Sequence, residues 1–265
     1  MVALCDFLLG GVLDYFDEHD LWRDTALVLS TDHGFLLGEH DFWAKNRMSL
    51  YEEIAHIPLF VHHPAHAAAA AGTRRSALTQ TIDFAPTFLD LFGVATPPEM
   101  QGHSLLPVLE ADRRLREGAL FGYFGGAVNV TDGRYVHHRY PPDLRTQEIY
   151  QYTVMPTHMA SPFTPEELRG AGLALPFPFT KGVPLLKVPV VETSPMHKNY
   201  GPGCLLEDET RLYDVEADPG QERPLDDPAT ERRLLGLMRE LMVANDAPPE
   251  ALARVGLETA PAATG

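Results

Sequence analysis

The sequence predicts an α/β fold over residues 1–110, followed by a smaller α+β unit over residues 111–246. Two patterns carry this prediction. In the first unit, apolar residues at helical spacing lead into the short apolar run 26–30, which is typical of a strand buried on both faces of a parallel sheet. In the second unit, short apolar runs alternate with turn residues before one last helical segment, which is typical of an antiparallel sheet with one packed helix. We place the boundary near Glu110, after a stretch of prolines and glycines.

The first unit is expected to fold as helix, strand, loop and strand. An amphipathic helix near the N-terminus leads into a strand at 25–30, and a second strand follows at 57–63. Residues 35–47 between them are mixed in polarity and punctuated by glycine, which favours a loop above a site. A short helical turn is predicted at 50–55.

A further helix is predicted to begin after Asp83. This residue can cap the helix, Pro86 suits its first turn, and Gly93 can stop it. We therefore interpret Asp83 as a structural residue.

The second unit is expected to contain a hairpin, a further strand and a helix. An Asp-Gly turn at Asp132 separates two strand-like runs, 212–215 reads as another strand, and Asp227 can cap the last helix. Residues 140–203 are rich in proline and lack periodicity. They are predicted to be an insertion that either shapes a substrate wall or subunit contact, or is an ordered loop without such a role. Residues 247–265 are predicted to be a frayed, flexible tail.

Composition and charge narrow the possible functions. The 265 residues include 21 Lys and Arg against 37 Asp and Glu, and the resulting net charge of −16 argues against a general binder of nucleic acid or anionic membranes. The two cysteines, Cys5 and Cys204, have neither metal-site nor redox spacing. No stretch approaches the roughly 20 apolar residues of a membrane span, and residues 1–11 lack a signal peptide's basic region. We expect a soluble chain, which is cytoplasmic if its start is genuine.

The candidate metal-binding and anion-binding residues follow the first predicted strand. Asp32 and His33 stand where ligands collect in open α/β sheets, and Gly34 favours a turn there. Both side chains can bind one ion only if the strand has already given way to that turn. A carboxylate and a neutral imidazole suit a divalent metal, and the charged Lys45, twelve residues later, could help to hold an anion. The alternative is a purely structural role, in which Asp32 caps the strand, the hydrogen bonds of His33 are satisfied within the fold and Lys45 is solvated.

A longer motif string surrounds these residues. It runs Ser-Thr-Asp-His-Gly at 30–34, Leu-Gly-Glu-His at 37–40, Trp-Ala-Lys at 43–45, Leu-Tyr-Glu-Glu at 50–53 and Ile-Pro-Leu at 57–59. In order and spacing, this string resembles the sulfatase family of the alkaline phosphatase superfamily. Segments at 81–87, 100–107 and 212–219 agree with the resemblance, which covers most of residues 1–110 and 205–245.

The resemblance implies a fold and a set of site residues. The first unit would be a portion of an alkaline-phosphatase-like mixed sheet with flanking helices. Asp32 and His33 would be metal ligands, and Lys45 would contact the sulfate group. The resemblance implies calcium as the first choice of metal. Many arylsulfatases carry Asn where His33 stands, whereas Asp-His occurs in branches that act on choline sulfate and phosphonate monoesters. Because of this difference, manganese is the alternative metal. His40 and Trp43 are further candidates to touch substrate, with loop packing as the alternative for both.

The resemblance also shows what the sequence lacks. Sulfatases use a formylglycine made from the Cys or Ser that opens a Cys/Ser-x-Pro-x-Arg motif, and they draw further aspartate metal ligands from an N-terminal strand. No such motif occurs here. We therefore expect this chain to be the C-terminal half of a sulfatase, with the formylglycine in the missing N-terminal half.

Three functions remain open at this point. The first is a metal-dependent sulfuric ester hydrolase whose C-terminal portion, inactive alone, takes part in binding a small-molecule sulfate ester. The second is a phosphonate or phosphate ester hydrolase of the same superfamily, and the third is a non-catalytic remnant or interaction protein. In every case we expect unpaired strand edges and exposed apolar surface, which favour self-association or pairing with the missing half.

Overall fold

The chain opens with helix α1 (Val2–Glu18), whose apolar residues are largely exposed. The computed structural model describes residues 2–45, 47–66, 71–144, 147–155, 157–195, 197 and 209–258. Only Phe16 of α1 is buried, and its ring lies 4.8 Å from that of Trp22 in the following 3₁₀ turn, Leu21–Arg23. The predicted helix is confirmed, but most of its apolar face does not pack on the rest of the described chain.

Strand β1 (Leu27–Ser30) pairs with β2 (Leu59–His62) in an antiparallel, two-stranded sheet. The prediction that the two strands are neighbours is confirmed. The prediction of a parallel strand buried on both faces is wrong, because the intervening loop turns the chain back beside itself and every residue of β1 is only half-buried. The face that carries Val28 packs toward helices α3 (Phe84–Leu91) and α4 (Leu106–Ala111). The predicted helical turn before β2 is helix α2 (Glu52–Ala55).

Asp83 is buried and structural, as predicted, but the prediction that it caps the helix is wrong, because its side chain makes no cap hydrogen bond to α3. It lies in the 3₁₀ turn Thr81–Asp83 just before α3. Its carboxylate accepts backbone N–H bonds from Gln80 (2.8 Å) and His103 (2.9 Å), and it forms a two-pronged ion pair with Arg116 (2.7 and 2.5 Å). This ion pair ties the start of α3 to the segment that enters the second unit.

The second unit is built on a four-stranded antiparallel sheet. Its strands are β3 (Ala119–Gly122), β4 (Val128–Thr131), β5 (Tyr135–Arg139) and β9 (Arg211–Asp214), in that order across the sheet. The predicted hairpin at Asp132 joins β4 to β5. The predicted last helix is α6 (Pro228–Ala244), and Asp227 caps it by accepting the N–H groups of Ala229 and Thr230, both at 3.1 Å.

The predicted insertion contains a sheet of its own. Helix α5 (Pro165–Gly170) accompanies strands β6 (Tyr150–Thr153), β7 (Gly172–Ala174) and β8 (Leu185–Pro189), with β8 in the middle. These strands are only three to five residues long and are separated by proline-containing segments, which explains why their periodicity is weak in the sequence.

The predicted flexible tail is in part a packed helix. Helix α7 (Pro249–Arg254) follows α6, and Val255 and Leu257 behind it are buried. Its residue Glu250 contacts Lys187 and Tyr152 of the insertion sheet. The prediction of a frayed tail is therefore wrong for residues 249–257, where a few apolar side chains outweigh the Pro and Ala bias. Residues 259–265, and Cys204, lie outside the described residues.

Two apolar cores flank the four-stranded sheet. One lies between the sheet and α6 and contains Val130, Leu212, Leu234 and Met238. The other joins the opposite face of the sheet to the first unit and contains Leu36, Met48, Tyr51, Ile54 and Tyr213. This second core, which we call the site-side core, supports the loop that carries the candidate functional residues.

Candidate metal and anion site

A tight contact with α2 fixes the turn after β1. The Gly34 N–H donates to the carbonyl oxygen of Ile54 at 2.9 Å, and a Cβ on Gly34 would lie 1.8 Å from the carbonyl oxygen of Glu53. Only glycine fits there, because of this close approach rather than because of a positive φ. The turn brings Asp32 Oδ2 within 3.3 Å of His33 Nε2, so that two adjacent side chains meet.

The next ten residues return the chain to the same place. The N–H of Leu36 donates to Ala44 at 3.0 Å and that of Gly38 donates to Phe42 at 3.0 Å, so the loop closes as a narrow hairpin. Leu36 is fully buried in the site-side core and anchors this hairpin. Lys45 follows directly, with its Nζ 2.7 Å from His33 Nε2. The structure thus brings together the three residues Asp32, His33 and Lys45.

Hydrogen bonding assigns the tautomer of His33. Its Nδ1 lies 2.9 Å from the carbonyl oxygen of Gly34, which can only accept, so Nδ1 carries the proton. Nε2 then has a lone pair, which accepts from the Lys45 ammonium. Histidines that bind metals commonly donate their other ring N–H to a backbone carbonyl in this way. His33 is therefore oriented as a metal ligand would be.

Asp32 presents one of its oxygens to this lone pair. Oδ1 accepts the backbone N–H of His33 (3.0 Å) and the hydroxyl of Thr31 (3.3 Å), whereas Oδ2 faces His33 Nε2. Desolvation raises the pKa of Asp32, but the electrostatic interaction with His33 and these hydrogen bonds outweigh it, so the pKa lies below its ordinary value. Asp32 is thus a carboxylate at neutral pH.

The two residues fit part of a divalent metal site. Two ligand atoms at right angles on an ion at about 2.1–2.4 Å lie about 3.0–3.4 Å apart, which matches the 3.3 Å between Asp32 Oδ2 and His33 Nε2. No group of three or more His, Cys, Asp or Glu side chains suitable for a metal occurs within the described part of the chain. Because calcium takes six to eight ligands, Asp32 and His33 would supply only a share of them.

His40 is placed differently from the other predicted site residues. Its ring stacks on that of Tyr51, with centroids 3.5 Å apart and planes 7° from parallel. His40 has left-handed backbone angles (φ 53°, ψ 25°), and the next residue, Asp41, also has a positive φ of 61°. The stacking accounts for the position of His40 by loop packing, and a role toward substrate stays a prediction. Trp43 is 73% exposed.

Sequence reasoning missed two supports of this region. Tyr51 lies beneath His40, and the fully buried His138 lies behind Tyr51, with their ring centroids 5.8 Å apart. Tyr51 belongs to the quoted motif string, so its motif position was a usable signal. His138 lies in a strand of the second unit, and nothing in its local sequence indicates this contact.

Comparisons with known proteins find sulfatases among the relatives of this chain. Residues 38–168 match a family model described as N-sulphoglucosamine sulphohydrolase, C-terminal. Over 127 residues the chain is 39% identical to an N-acetylglucosamine-6-O-sulfatase of Bacteroides thetaiotaomicron, covering 46% of this chain and 22% of that protein. Over 108 residues it is 37% identical to human arylsulfatase K, covering 41% of this chain and 19% of that protein. The chain thus spans about a fifth of the length of these relatives.

Solved structures show the same fold. One was determined in complex with its substrate D-glucosamine-2-N,6-O-disulfate; it aligns with a TM-score of 0.61 and 23% identity over 94% of this chain and 40% of its own. Another, from work on glycosaminoglycan metabolism by Bacteroides thetaiotaomicron, aligns with a TM-score of 0.59 and 18% identity over 97% of this chain and 44% of its own. In sequence and in fold, this chain is similar to sulfatases, and the family model that it matches describes their C-terminal part.

Proposed function

We propose that the complete protein to which this sequence corresponds is a metal-dependent sulfuric ester hydrolase. In this proposal Asp32 and His33 bind the metal, calcium first and manganese as the alternative, and Lys45 contacts the sulfate group. The observation that carries the proposal is the meeting of Asp32 Oδ2, His33 Nε2 and Lys45 Nζ at one point. The similarity to sulfatases supports the same assignment.

Charge explains why these groups suit a sulfate ester. Cleavage of the ester gathers negative charge on the sulfate and leaving oxygens, so fixed positive groups nearby stabilise the transition state. A bound metal would supply a Lewis acid at these oxygens. Lys45 adds a second positive charge, and the backbone bonds of Gly34 to Ile54 and of Leu36 to Ala44 close the loop so that Lys45 lies near His33. The net charge of −16 elsewhere makes this a local attraction for anions.

The nucleophile is assigned to another segment. This sequence contains no Cys/Ser-x-Pro-x-Arg motif, from which a formylglycine would be made. We propose that the formylglycine and the remaining metal ligands lie in an N-terminal segment that pairs with this one. The small-molecule substrate would bind between the two segments.

A phosphonate or phosphate ester hydrolase is the second candidate. Only His33 favours it, because an imidazole beside a carboxylate also suits softer metals such as manganese. A non-catalytic remnant or interaction protein is the third candidate, and the absent nucleophile motif favours that one.

The first prediction compares substrates and variants in the complete protein. We expect faster hydrolysis of a chromogenic aryl sulfate than of a phosphonate monoester. Lys45→Ala should lower kcat/KM for the sulfate by about 10²–10³-fold, the usual loss when one transition-state donor is removed. Lys181→Ala is the control, since that lysine is exposed and pairs with Glu99. Faster turnover of the phosphonate would favour the second candidate, and an unchanged Lys45→Ala variant would remove Lys45 from the site.

The second prediction concerns the 265-residue chain alone. We expect no aryl sulfate hydrolysis above buffer with calcium or manganese, because a positive site without a nucleophile can polarise an ester but cannot attack it. The measurement is release of the chromogenic alcohol over hours. Turnover that disappears on Asp32→Ala would show that this chain contains a nucleophile of its own.

A further inference from the structure

The lone pair of His33 Nε2 has a partner in this chain. Nδ1 is committed to the Gly34 carbonyl, and Nε2 accepts from the Lys45 ammonium at 2.7 Å. Asp32 Oδ2 is 3.3 Å from the same nitrogen. Two acceptors that face each other at this distance are stabilised by a cation nearby, and in this chain the nearest cation is Lys45.

A metal ion and the lysine would need the same lone pair. An imidazole nitrogen has one lone pair, so Nε2 can accept from Lys45 or bind a metal, but it cannot do both. A divalent ion within bonding distance of Nε2 would also repel an ammonium that stayed 2.7 Å from that atom. The lysine side chain is exposed and unbranched, so it can leave without disturbing the core.

We propose that Lys45 takes the place of the metal in the metal-free chain, and that metal binding at Asp32 and His33 releases Lys45 toward the anion. The inference rests on the proposed function and adds the order in which the two ligands bind. The cation site fills first, and only then is the ammonium free to bind a sulfate group. Lys45 thus couples the two ligands, since each metal ion bound makes one anion-binding ammonium available.

The test measures metal binding by the 265-residue chain, for which no activity is needed. Manganese(II) is titrated into wild type, Lys45→Met and Lys181→Met, and free ion is followed by electron paramagnetic resonance. Lys45→Met removes the competing donor but keeps the length of the side chain. We expect it to bind manganese about three- to tenfold more tightly, which is the size of the net contribution of one typical hydrogen bond. Lys181→Met, which removes another exposed charge away from the site, should bind as wild type does.

A spectroscopic measurement separates release of the lysine from a simple charge effect. In ¹⁵N-lysine-labelled chain, the Nζ signal that is absent from Lys45→Met belongs to Lys45. Calcium, which is diamagnetic, should shift this signal as the bond to His33 breaks, while the Lys181 signal stays in place.

The possible outcomes are distinct. Tighter manganese binding by Lys45→Met together with a calcium-dependent shift supports the proposal. If wild type binds manganese but Lys45→Met binds it equally or less tightly, or if the Lys45 signal does not move, the proposal is wrong and the metal site stands. If neither protein binds manganese, this inference is wrong, because Lys45 then does not compete with an ion in this chain. The metal role in the proposed function is tested apart from it, by the activity of the complete protein with and without metal.

Discussion

His138 is a fully buried histidine on β5, and neither of its ring nitrogens has a hydrogen-bond partner among the described residues. The rings of Tyr51 and Tyr213 lie 5.8 and 5.6 Å away. Burial, and then the positive charges of His137, Arg211 and His40, lower the pKa of His138 to about 3. The folded chain therefore keeps this ring neutral at pH values where an exposed histidine would be charged.

This burial predicts a loss of stability in mild acid. The folded-state pKa lies below the ordinary value of 6.5, so the contribution of His138 is complete above pH 6.5 and is lost as the pH falls toward 3. At pH 5 the loss is on the order of 2 kcal/mol. His138→Phe should remove this part of the pH dependence. At pH 7.5 it should change stability little, because the imidazole nitrogens it removes are unpaired.

The measurement is urea unfolding of wild type and variant at pH 7.5 and pH 5. The exposed His19, changed to Phe, is the control and should leave the pH dependence of wild type intact. A wild type and a His138→Phe variant that lose equal stability between the two pH values would contradict the prediction.

At the scale of residues, the sequence predicted that Asp32, His33 and Lys45 lie together, because motif order places them in one loop. The contacts that fix the geometry of these residues could not be predicted from the sequence. The reason for glycine at Gly34 is a carbonyl of α2, and the partner of Lys45 is a ring nitrogen rather than an anion. Such contacts depend on how elements pack, which local patterns do not record.

Among the elements, α3 depends most on one buried ion pair. The Asp83 side chain is fully buried and that of Arg116 is 8% exposed. Burial raises the pKa of Asp83, but the Arg116 guanidinium and the N–H groups of His103 and Gln80 outweigh it and hold the pKa below its usual value. The pair fixes α3 relative to the lead-in of β3.

Removal of one partner of the Asp83–Arg116 ion pair should lower the stability of the fold strongly. Arg116→Ala leaves the Asp83 carboxylate buried without its counter-charge, and we expect a loss of about 3–5 kcal/mol in the free energy of unfolding. Arg169→Ala is the matched control, because its ion pair with Glu166 is largely exposed, and it should cost at most about 1 kcal/mol. Urea unfolding at pH 7.5 measures both changes. A loss below about 1 kcal/mol in Arg116→Ala would show that water or another cation replaces the guanidinium.

The type of secondary-structure element could be predicted where turn and capping residues gave a clear signal, as at Asp132 and Asp227. Sheet direction was not, because the apolar run of β1 fits a parallel or an antiparallel neighbour equally well. The packing of α7 was also missed, since a six-residue helix gains its stability from Val255 and Leu257 behind it rather than from its own composition.

At the scale of the whole molecule, the apolar side of α1 is an exposed surface without an assigned role. Phe7 is 76% exposed and Leu8 60%. None of the described helices combines the length and apolar character that a membrane crossing requires. Apolar surface of this kind marks an interface or an association hazard.

We therefore expect the isolated chain to self-associate through α1. The double substitution Phe7→Gln and Leu8→Gln should reduce the associated fraction in sedimentation velocity while changing monomer stability by less than about 0.5 kcal/mol, because both side chains are exposed. Asp14→Gln, at an exposed polar position of the same helix, should leave association unchanged. If the double variant sediments like wild type, the association surface lies elsewhere.

The site-side core also bears on how the chain is synthesised. The backbone N–H of Glu52 in α2 donates to the Gln221 side chain at 2.7 Å, across a sequence separation of 169 residues. At about 5–20 residues per second, a ribosome needs roughly 10–30 s to make the intervening chain. During that interval Leu36 and Met48 have no Tyr213 to pack against. The loop with Asp32 and Lys45 therefore leaves the ribosome well before the strand that completes the core beneath it, and its apolar residues are open to chaperones during that interval.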